Sequence, residues 1–360
     1  MNFYIVGSPW HLLVAASINH ASEDGGIFLL EEVSESSLSM MVDTCKRLNL
    51  EFVIIGSINK VRFVNAKLLA LNTFKYKVET EIAEVQNSFL NLLNKFKPVL
   101  IYYFNFYSPI TRAQLLLTEN IELVRVEDGI CDYFNFPFIY YSPLKRIGKI
   151  ILTKLLGLED IYSQRSKFLE SKTKEYKLFF PEKVKGWKGR KTTLMNIKGD
   201  LHKIIEQLAL NSHYEQLVTE IKPVLIIGQT LYEDNILSLS SELNLYKSVL
   251  DKFNETVYFK PHPRSSSEKV EFLSNLDSRF IVLNTPCAVE ELLVKYNFRA
   301  IVGMWSNPII YGRKLFNVET FTLIDISEYK EFTAHTTNLY NSLCLNFETD
   351  FVHINKISKT

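Results

Sequence analysis

Short runs of apolar residues alternate along the chain with longer segments in which apolar positions recur every three or four residues. The short runs predict β-strands, and the longer segments predict amphipathic helices. Residues 78–96 show the helical pattern clearly, with one apolar face made of Ile82, Val85, Phe89, Leu92 and Leu93. Because strands of almost uninterrupted apolar residues are typically buried on both faces, the alternation predicts an α/β fold with parallel, helix-covered sheets.

The predicted strands fall into two series along the chain. The first series is "FYIVG" (3–7), "GIFLL" (26–30), "EFVIIG" (51–56), "VLIYYF" (99–104) and "ELVRVEDG" (122–129). The second series is "VLIIGQT" (224–230), "VYFKPHP" (257–263), "FIVLN" (280–284), "AIVGMWS" (300–306) and "NVETFTLID" (317–325). A chain of 360 residues is too long for one ordinary core. We therefore expect an N-terminal domain of residues 1–200, a C-terminal domain of residues 215–330, and a terminal segment of residues 331–360.

The stretch that joins the two series is basic. Residues 141–200 contain fifteen Lys and Arg but six Asp and Glu. Within it, residues 143–158 ("PLKRIGKIILTKLLGL") form an amphipathic pattern with lysines mostly off the apolar side. This pattern predicts either a cationic helix packed on its own domain or a peripheral contact with the cytoplasmic face of the inner membrane.

Composition narrows the class of protein. Apolar residues make up 47% of the chain and charged residues 22%, which is typical of a folded soluble protein, and the net charge of +1 gives no reason to expect nucleic acid as a partner. The four cysteines are scattered without CxxC spacing, and no uninterrupted apolar stretch is long enough to span a membrane. The N-terminus is a poor signal peptide, so we expect a cytoplasmic protein.

In parallel α/β sheets, ligands bind beyond the carboxyl ends of the strands. One predicted strand ends in "KPHPR", where Pro261 and Pro263 hold His262 in extended backbone between Lys260 and Arg264. This cluster predicts a cationic phosphate site, to which Ser265–Ser267 and the start of a helix near Glu268 would add donors. The alternative is a histidine that merely ends a strand.

Three other strand ends carry polar groups. Glu127, Asp128 and Gly129 follow one strand, where a partly desolvated carboxylate would serve as a general base, or where the group would form a solvated turn. Ser306, before Asn307, is placed either to bind phosphate or to cap the next helix. Gly228-Gln229-Thr230 form a glycine turn and polar loop that match neither GxGxxG nor a P-loop.

In combination and in this order, these motifs resemble those of bacterial sialyltransferases. The resemblance lies in an acidic-acidic-Gly motif (127–129), a His-Pro motif (262–263) and a downstream serine (306), with "SPWHLLVA" and "IIGQTLYED" as further similar stretches. It points to glycosyltransferase family 52, with its lipooligosaccharide sialyltransferases, and to the related capsular polysialyltransferases. The resemblance implies a GT-B fold, in which two Rossmann-like domains face a central cleft and a C-terminal helix returns to the N-terminal domain.

The resemblance also implies an activity and its residues. The activity is inverting transfer of sialic acid from CMP-sialic acid, without metal or other cofactor, to a terminal sugar such as a galactoside of lipooligosaccharide or capsule. Asp128 or Glu127 would be the base, and His262 would act on the leaving phosphate. The implied donor-binding residues are Gly228, Gln229, Thr230, Lys260, His262, Pro263, Arg264, Glu290, Ser306 and Asn307. "PCAVEELL" (286–293) is similar to the segment that binds the ribose, with either Glu290 or Glu291 as the ligand.

Two kinds of alternative stay open at this point. A related transferase would use another CMP- or CDP-activated donor, such as another nonulosonic acid, Kdo or glycerol phosphate. A non-catalytic protein of glycan assembly would instead use the basic segment to bind a membrane or polymer. A homodimer is compatible with the sequence in either case.

Overall fold

The structure is a computed structural model of the chain. The residues it describes are 1–22, 24–55, 71–106, 108–133, 151, 154, 161, 167–184, 191–210, 222–285, 287–304, 306–323, 347 and 352–354. The chain divides into two compact units, Met1–Ile204 and Ile205–Thr360.

The first unit is built on a seven-stranded parallel sheet in the order β3-β2-β1-β4-β5-β6-β7. Its strands are β1 Asn2–Val6, β2 Gly26–Glu31, β3 Phe52–Ile55, β4 Leu100–Tyr103, β5 Glu122–Val126, β6 Thr173–Leu178 and β7 Thr192–Leu194. The strand order reverses between β1 and β4, as in Rossmann folds, so polar groups just after β1 and β4 lie at the position where such sheets bind ligands.

Helices connect these strands. Their bounds are α1 Pro9–Ser22, α2 Glu35–Arg47, α3 Leu71–Phe96, α4 Pro109–Leu115, α5 Lys167–Lys172 and α6 Lys198–Leu210, with short 3₁₀ helices at Ile130–Tyr133 and Pro181–Lys183. The α2 helix begins where the Ser34 hydroxyl accepts a hydrogen bond from Ser37 N, and α4 begins in the same way at Ser108 and Thr111.

The core of the first unit lies between the central strands and α3. Alternate residues of β1, β2 and β4 point into it, and Phe3 packs edge-on against Phe89 of α3 with ring centroids 6.4 Å apart. Other buried members of this cluster are Ile5, Ile27, Leu29, Ile101, Tyr103, Phe106, Leu115 and Leu123. The apolar face predicted for α3 therefore does contact the sheet, with Ile82 and Phe89 buried.

The second unit holds a six-stranded parallel sheet in the order β10-β9-β8-β11-β12-β13. Its strands are β8 Val224–Ile227, β9 Val257–Lys260, β10 Phe280–Val282, β11 Ala300–Gly303, β12 Glu319–Thr322 and β13 Val352–His353. Its helices are α7 Leu239–Leu250, α8 Ser267–Ser274, α9 Val289–Lys295 and α10 Asn307–Tyr311, followed by a π-helical turn at Gly312–Phe316. The order reverses between β8 and β11, so the groups after β8, β9 and β11 lie at or beside this reversal.

All ten strands of the two predicted series are present in the structure, and both sheets are parallel as predicted. Most of residues 141–200 before Lys167, including almost all of the amphipathic segment 143–158, lie outside the described residues. The same holds for most of 331–360, although β13 shows that part of this segment extends the second sheet. No helix among the described residues is long and apolar enough to cross a membrane.

Candidate active site

The carboxylate of Asp128 in the first unit accepts a hydrogen bond from a histidine that lies far away in sequence. Oδ1 of Asp128 is 2.7 Å from Nε2 of His11. Asp128 follows β5, while His11 lies in the first turn of α1, where its backbone N–H donates to the hydroxyl of Ser8. The "SPWH" turn after β1 thus brings an imidazole to the acidic motif after β5.

The surroundings of His11 determine which ring nitrogen carries the proton. Nδ1 accepts a hydrogen bond from the backbone N–H of Gly7 at 3.3 Å. The neutral ring therefore carries its proton on Nε2, which donates to Asp128. The ring stacks on Phe104, with centroids 4.9 Å apart, and its side chain is 5% exposed against 24% for Asp128. His11 thus holds one carboxylate oxygen while the carboxyl group stays accessible.

The neighbouring carboxylate, Glu127, has a different environment. It is fully buried, and its Oε2 accepts hydrogen bonds from the backbone N–H of Phe179 at 2.8 Å and from the hydroxyl of Tyr133. The Tyr133 hydroxyl in turn accepts from the N–H of Phe180 at 3.0 Å. Glu127 therefore joins the end of β5 to the chain after β6, which leaves Asp128 as the carboxylate that faces outwards.

A second carboxylate, that of Asp132, fixes the backbone of Asp128. Asp132 accepts the backbone N–H of Asp128 at 2.6 Å and forms a buried ion pair with Arg125. Burial raises the pKa of Asp132 to about 6, which the Arg125 charge partly opposes. Gly129 makes this turn with a φ of 136°, in the region that favours glycine. Asp132 was not among the residues predicted from the sequence.

Glu31, at the end of β2, is a further residue that the sequence did not reveal. Its Oε1 accepts hydrogen bonds from Ser108, at 3.2 Å, and from the hydroxyl of Thr111, so it fixes the start of α4. Its Oε2 is buried and accepts no hydrogen bond from any residue that the structure describes. Burial raises the pKa of Glu31 to about 7, and the two hydrogen bonds oppose this rise. A buried acid with a raised pKa therefore lies beside the strand end that leads to His11.

In the second unit, His262 is held by its own turn after β9. Its Nδ1 accepts the backbone N–H of Arg264 at 3.1 Å, and its carbonyl accepts the N–H of Ser265 at 2.8 Å. Burial lowers the pKa of His262 to about 4, and the Arg264 charge adds to this effect. The sequence allowed either a cation or a neutral ring near pH 7. The structure favours the neutral ring, with its proton on Nε2.

The cations expected around this histidine are engaged with other groups. Arg264 makes a bidentate ion pair with Asp234, at 2.8 and 3.1 Å, and its Nη2 also donates to the Thr230 hydroxyl at 3.0 Å. Lys260 donates to the carbonyl of Thr285, and burial lowers its pKa. Pro263, between His262 and Arg264, is exposed.

Gly228 and Gln229 connect the end of β8 to this turn. Gly228 N donates to the carbonyl of Lys260 at 2.9 Å. A Cβ at Gly228 would lie 2.8 Å from the ring of Phe259 and 3.1 Å from the nitrogen of His262, so a side chain does not fit there. Gln229 donates its N–H to the hydroxyl of Tyr246 at 3.0 Å.

The first turn of α9 contains Glu290 and Glu291, which the sequence left as alternative ligands of the ribose, and the two have different environments. Glu291 accepts the backbone N–H of Ala288 at 3.2 Å and so caps its own helix. Glu290, in the same first turn, is buried, and burial raises its pKa to about 7. Glu290 is therefore the better candidate for a ligand hydroxyl.

Ser306 is the N-cap residue of α10 by its backbone, but its hydroxyl makes no capping bond. This hydroxyl is buried and has no hydrogen-bond partner in the described part of the chain. Ser306 follows β11, and Asn307 begins the helix. The structure thus places Ser306 and His262 after the two strands that flank β8. The described residues include no group of three or more His, Cys, Asp or Glu side chains arranged to hold a metal ion.

Comparison with known protein families identifies the family of this chain. The family model for alpha-2,8-polysialyltransferase matches residues 2–325. The chain belongs to the alpha-2,8-polysialyltransferase family. This membership confirms the predicted resemblance to bacterial sialyltransferases of the polysialyltransferase group, and with it the predicted class of glycosyltransferases.

One curated relative of this polysialyltransferase family member is an uncharacterized protein of Haemophilus influenzae. The two are 24% identical over 174 residues, which are 45% of this chain and 51% of that protein. The chain thus spans about half the length of the curated relative it matches.

Solved structures agree on the fold. UDP-GlcNAc 2-epimerase from Methanocaldococcus jannaschii is similar over 100% of this chain and 94% of its own, with a TM-score of 0.57 and 14% identity. UDP-GlcNAc 2-epimerase from Neisseria meningitidis is similar over 99% and 95%, with a TM-score of 0.54 and 11% identity. At such identities only the fold is shown, and together with the two parallel-sheet units it confirms the predicted GT-B type.

Proposed function

We propose that this polysialyltransferase family member transfers sialic acid from CMP-sialic acid to a sugar hydroxyl of a surface glycan, with inversion at the anomeric carbon. The observation that carries the proposal is the contact between Nε2 of His11 and Oδ1 of Asp128 at 2.7 Å, in which the Asp128 side chain stays 24% exposed. A positioned, accessible carboxylate after a strand of a Rossmann-like sheet fits a general base.

In the proposed reaction, Asp128 takes the proton of the acceptor hydroxyl while the hydroxyl oxygen forms its bond to the anomeric carbon. The bond between that carbon and the phosphate oxygen breaks, and its electron pair leaves with CMP. His11 does not compete for the proton, because its Nε2–H donates to Asp128 and its Nδ1 accepts from Gly7. Glu127 is excluded from this role in the proposal, since its Oε2 bonds Tyr133 and Phe179 in the interior.

Negative charge develops on the departing phosphate, and groups of the second unit stabilise it in this proposal. His262 offers a neutral Nε2–H, since its Nδ1 accepts from Arg264 N–H and its pKa is lowered to about 4. Ser306 offers a buried hydroxyl that has no hydrogen-bond partner among the residues that the structure describes. Hydrogen-bond donors aimed at developing charge stabilise a transition state by about 3 kcal/mol each. His262 therefore acts as a hydrogen-bond donor rather than as a source of a proton.

The nucleoside part of the donor is assigned to neighbouring groups of the second unit. Glu290, buried in the first turn of α9, would accept from the ribose hydroxyls. Gln229, Thr230 and Asn307 would line the same end of the sheet, where Lys260 adds a nearby positive charge. No metal ion or other cofactor enters the proposed reaction.

Two classes of acceptor sugar fit the proposal. The family name points to a terminal sialic acid, whereas the resemblance to bacterial sialyltransferases implies a terminal sugar such as a galactoside. A matched panel of lactosides and α2,8-linked oligosialosides, incubated with CMP-sialic acid, tests the whole proposal through CMP release and product mass. Transfer to either acceptor class with an inverted linkage supports it. Failure to release CMP from CMP-sialic acid, while CDP-glycerol, CMP-Kdo or a UDP-sugar is used instead, would replace it with one of the related transferases.

A further inference from the structure

The N-terminus of α8 already holds an anionic group supplied by the chain itself. The backbone N–H of Ser266 donates to Oε1 of Glu233 at 2.6 Å, and Oε2 of the same carboxylate lies 2.8 Å from Nζ of Lys269. A helix N-terminus with a lysine is a typical phosphate site. From the sequence we expected the serines here to donate to phosphate, but Ser266 donates its N–H to Glu233, and its hydroxyl accepts from Lys269 N.

Lys269 has no donor left for a ligand. An ammonium group has three N–H donors. They are directed to the carbonyl of Gln229 at 2.7 Å, to Glu233 at 2.8 Å and to Glu242 at 3.0 Å. The side chain is fully buried, and its one positive charge faces two carboxylates inside the protein.

Asp234 engages the other nearby cation in the same way. Its two carboxylate oxygens accept from Nη1 and Nη2 of Arg264, and Oδ2 also accepts from the Thr230 hydroxyl at 2.6 Å. The Arg264 side chain lowers the pKa of Asp234, so this carboxylate stays charged. Glu233 and Asp234 therefore occupy the two positions next to His262 at which an anionic ligand would otherwise meet Lys269 and Arg264.

The charges around this corner balance when Lys260 is counted, with three cations against three carboxylates. Lys269 and Arg264 face Glu233, Asp234 and Glu242, while the lowered pKa of His262 keeps its ring neutral at pH 7. Lys260 is the remaining cation of the described residues at this strand end, and its ammonium donates to a carbonyl. In the proposed function one phosphate group meets the donors of His262 and Ser306, and a second would meet the carboxylate of Glu233 or Asp234.

We propose that Glu233 and Asp234 determine donor specificity by filling the positions of a second phosphate, so that the protein accepts sugars activated by a nucleoside monophosphate and rejects nucleoside diphosphates. This inference rests on the proposed function, in which the nucleotide binds beside His262. The carboxylates of Glu233 and Asp234 would repel the second phosphate of a nucleoside diphosphate, because like charges repel strongly in a partly desolvated site. Such repulsion of the wrong ligand is an effective source of binding specificity.

Calorimetric titration of the protein with CMP and with CDP tests the inference. In an ordinary cationic site the added phosphate strengthens binding, whereas here the unsubstituted protein should bind CMP at least about tenfold more tightly than CDP. Glu233→Gln and Asp234→Asn should each shift the ratio of the two dissociation constants towards CDP by about fivefold or more, since each removes one of the opposing charges. Glu233→Asp, which keeps the charge, should retain most of the preference.

Glu271→Gln is the matched control, because Glu271 is an exposed carboxylate on the same helix. It should leave the ratio unchanged. Thermal unfolding of each variant shows whether it is folded, and the ratio in the unsubstituted protein tests the inference even where a variant unfolds. Equal affinity for CMP and CDP in that protein, or an unchanged ratio in folded Glu233→Gln and Asp234→Asn variants, would overturn the inference alone. Failure of the unsubstituted protein to bind either nucleotide would instead contradict the proposed function itself.

Discussion

Nε2 of His11 lies 2.7 Å from Oδ1 of Asp128, and Nδ1 of the same ring accepts the backbone N–H of Gly7. These two contacts fix the ring so that its one proton faces the carboxylate. Asp128 is thereby oriented by a ring nitrogen that already carries a proton and donates a hydrogen bond to the carboxylate. The contact between His11 and Asp128 connects the turn after β1 to the acidic motif after β5.

Replacement of His11 by Phe tests whether this orientation matters for catalysis. The ring keeps its stacking on Phe104 but loses the donor to Asp128. We expect kcat for transfer to fall by about 10- to 100-fold, while the dissociation constant of CMP stays unchanged. The double variant with Asp128→Asn should show little further loss beyond Asp128→Asn alone, because the two side chains act as a unit.

His20→Gln provides the control for the His11 substitution. His20 is an exposed histidine on the same helix, where it pairs with Asp200 at 3.0 Å. Its replacement should leave kcat unaffected. Additive losses in the His11 and Asp128 double variant would show that His11 contributes to folding rather than to the position of the base.

Substitution of Glu127 should lower the stability of the protein much more than substitution of Asp128. Loss of the Glu127 carboxylate in Glu127→Ala leaves the buried N–H of Phe179 and the Tyr133 hydroxyl without this acceptor. The free energy of unfolding should fall by about 1–3 kcal/mol per unpaired group. Denaturant unfolding measures this, and Asp128→Asn, at a more exposed site, should stay within about 0.5 kcal/mol of the unsubstituted protein. Equal stability losses in both variants would contradict the distinction.

His262 should make the stability of the protein depend on pH. Its pKa is about 4 in the folded protein against 6.5 for an ordinary imidazole, so the unfolded chain binds more protons between these values. The contribution of His262 is therefore fully present above about pH 6.5 and declines as the pH falls towards 4. Asp132, Glu31 and Glu290, whose pKa values are raised, act in the opposite direction.

The comparison with His262→Gln isolates this one group. The difference in unfolding free energy between the unsubstituted protein and the variant should shrink as the pH is lowered from about 7 to about 4.5. Urea unfolding at several pH values measures it. A difference that stays constant across this range would show that the folded protein holds His262 with an ordinary pKa.

Ser306 and Ser266 provide a contrast between ligand binding and helix capping. The Ser306 hydroxyl has no hydrogen-bond partner among the described residues, so Ser306→Ala should leave thermal stability unchanged. The variant should weaken CMP binding by roughly tenfold, which corresponds to a hydrogen bond to a charged group. The Ser266 hydroxyl caps α8 by accepting from Lys269 N, so Ser266→Ala should cost about 1 kcal/mol of stability. A loss of stability in Ser306→Ala with unchanged CMP affinity would reverse these roles.

The sequence predicted the central strands well because their apolar runs are long and end in glycine or polar residues. It missed β6, "TKEYKL", whose polar residues alternate with apolar ones next to the short edge strand β7, and β13, which is only Val352–His353. A strand near a sheet edge needs no continuous apolar run, so the pattern that identified β1 or β8 was absent there.

Site residues could be predicted from the sequence only where they follow a strand within one motif. Asp128, His262 and Ser306 are the candidates that the sequence offered in this way. The partners His11, Glu31, Glu233 and Lys269 were not, because each acts through a contact between strands or helices distant in sequence. One example is the pair of His11 and Asp128, which lie 117 positions apart. The charge balance at Arg264 likewise required knowledge of where Asp234 lies.

Sialic acid transfer by the Asp128→Asn variant, measured beside CMP binding by the same protein, tests the central claim most directly. The amide cannot accept the acceptor proton, so kcat should fall by about 10²- to 10⁴-fold while the dissociation constant of CMP and the unfolding temperature remain those of the unsubstituted protein. Transfer within a few-fold of the unsubstituted rate by a folded, CMP-binding Asp128→Asn variant would contradict the assignment of the base, and with it the account of this site.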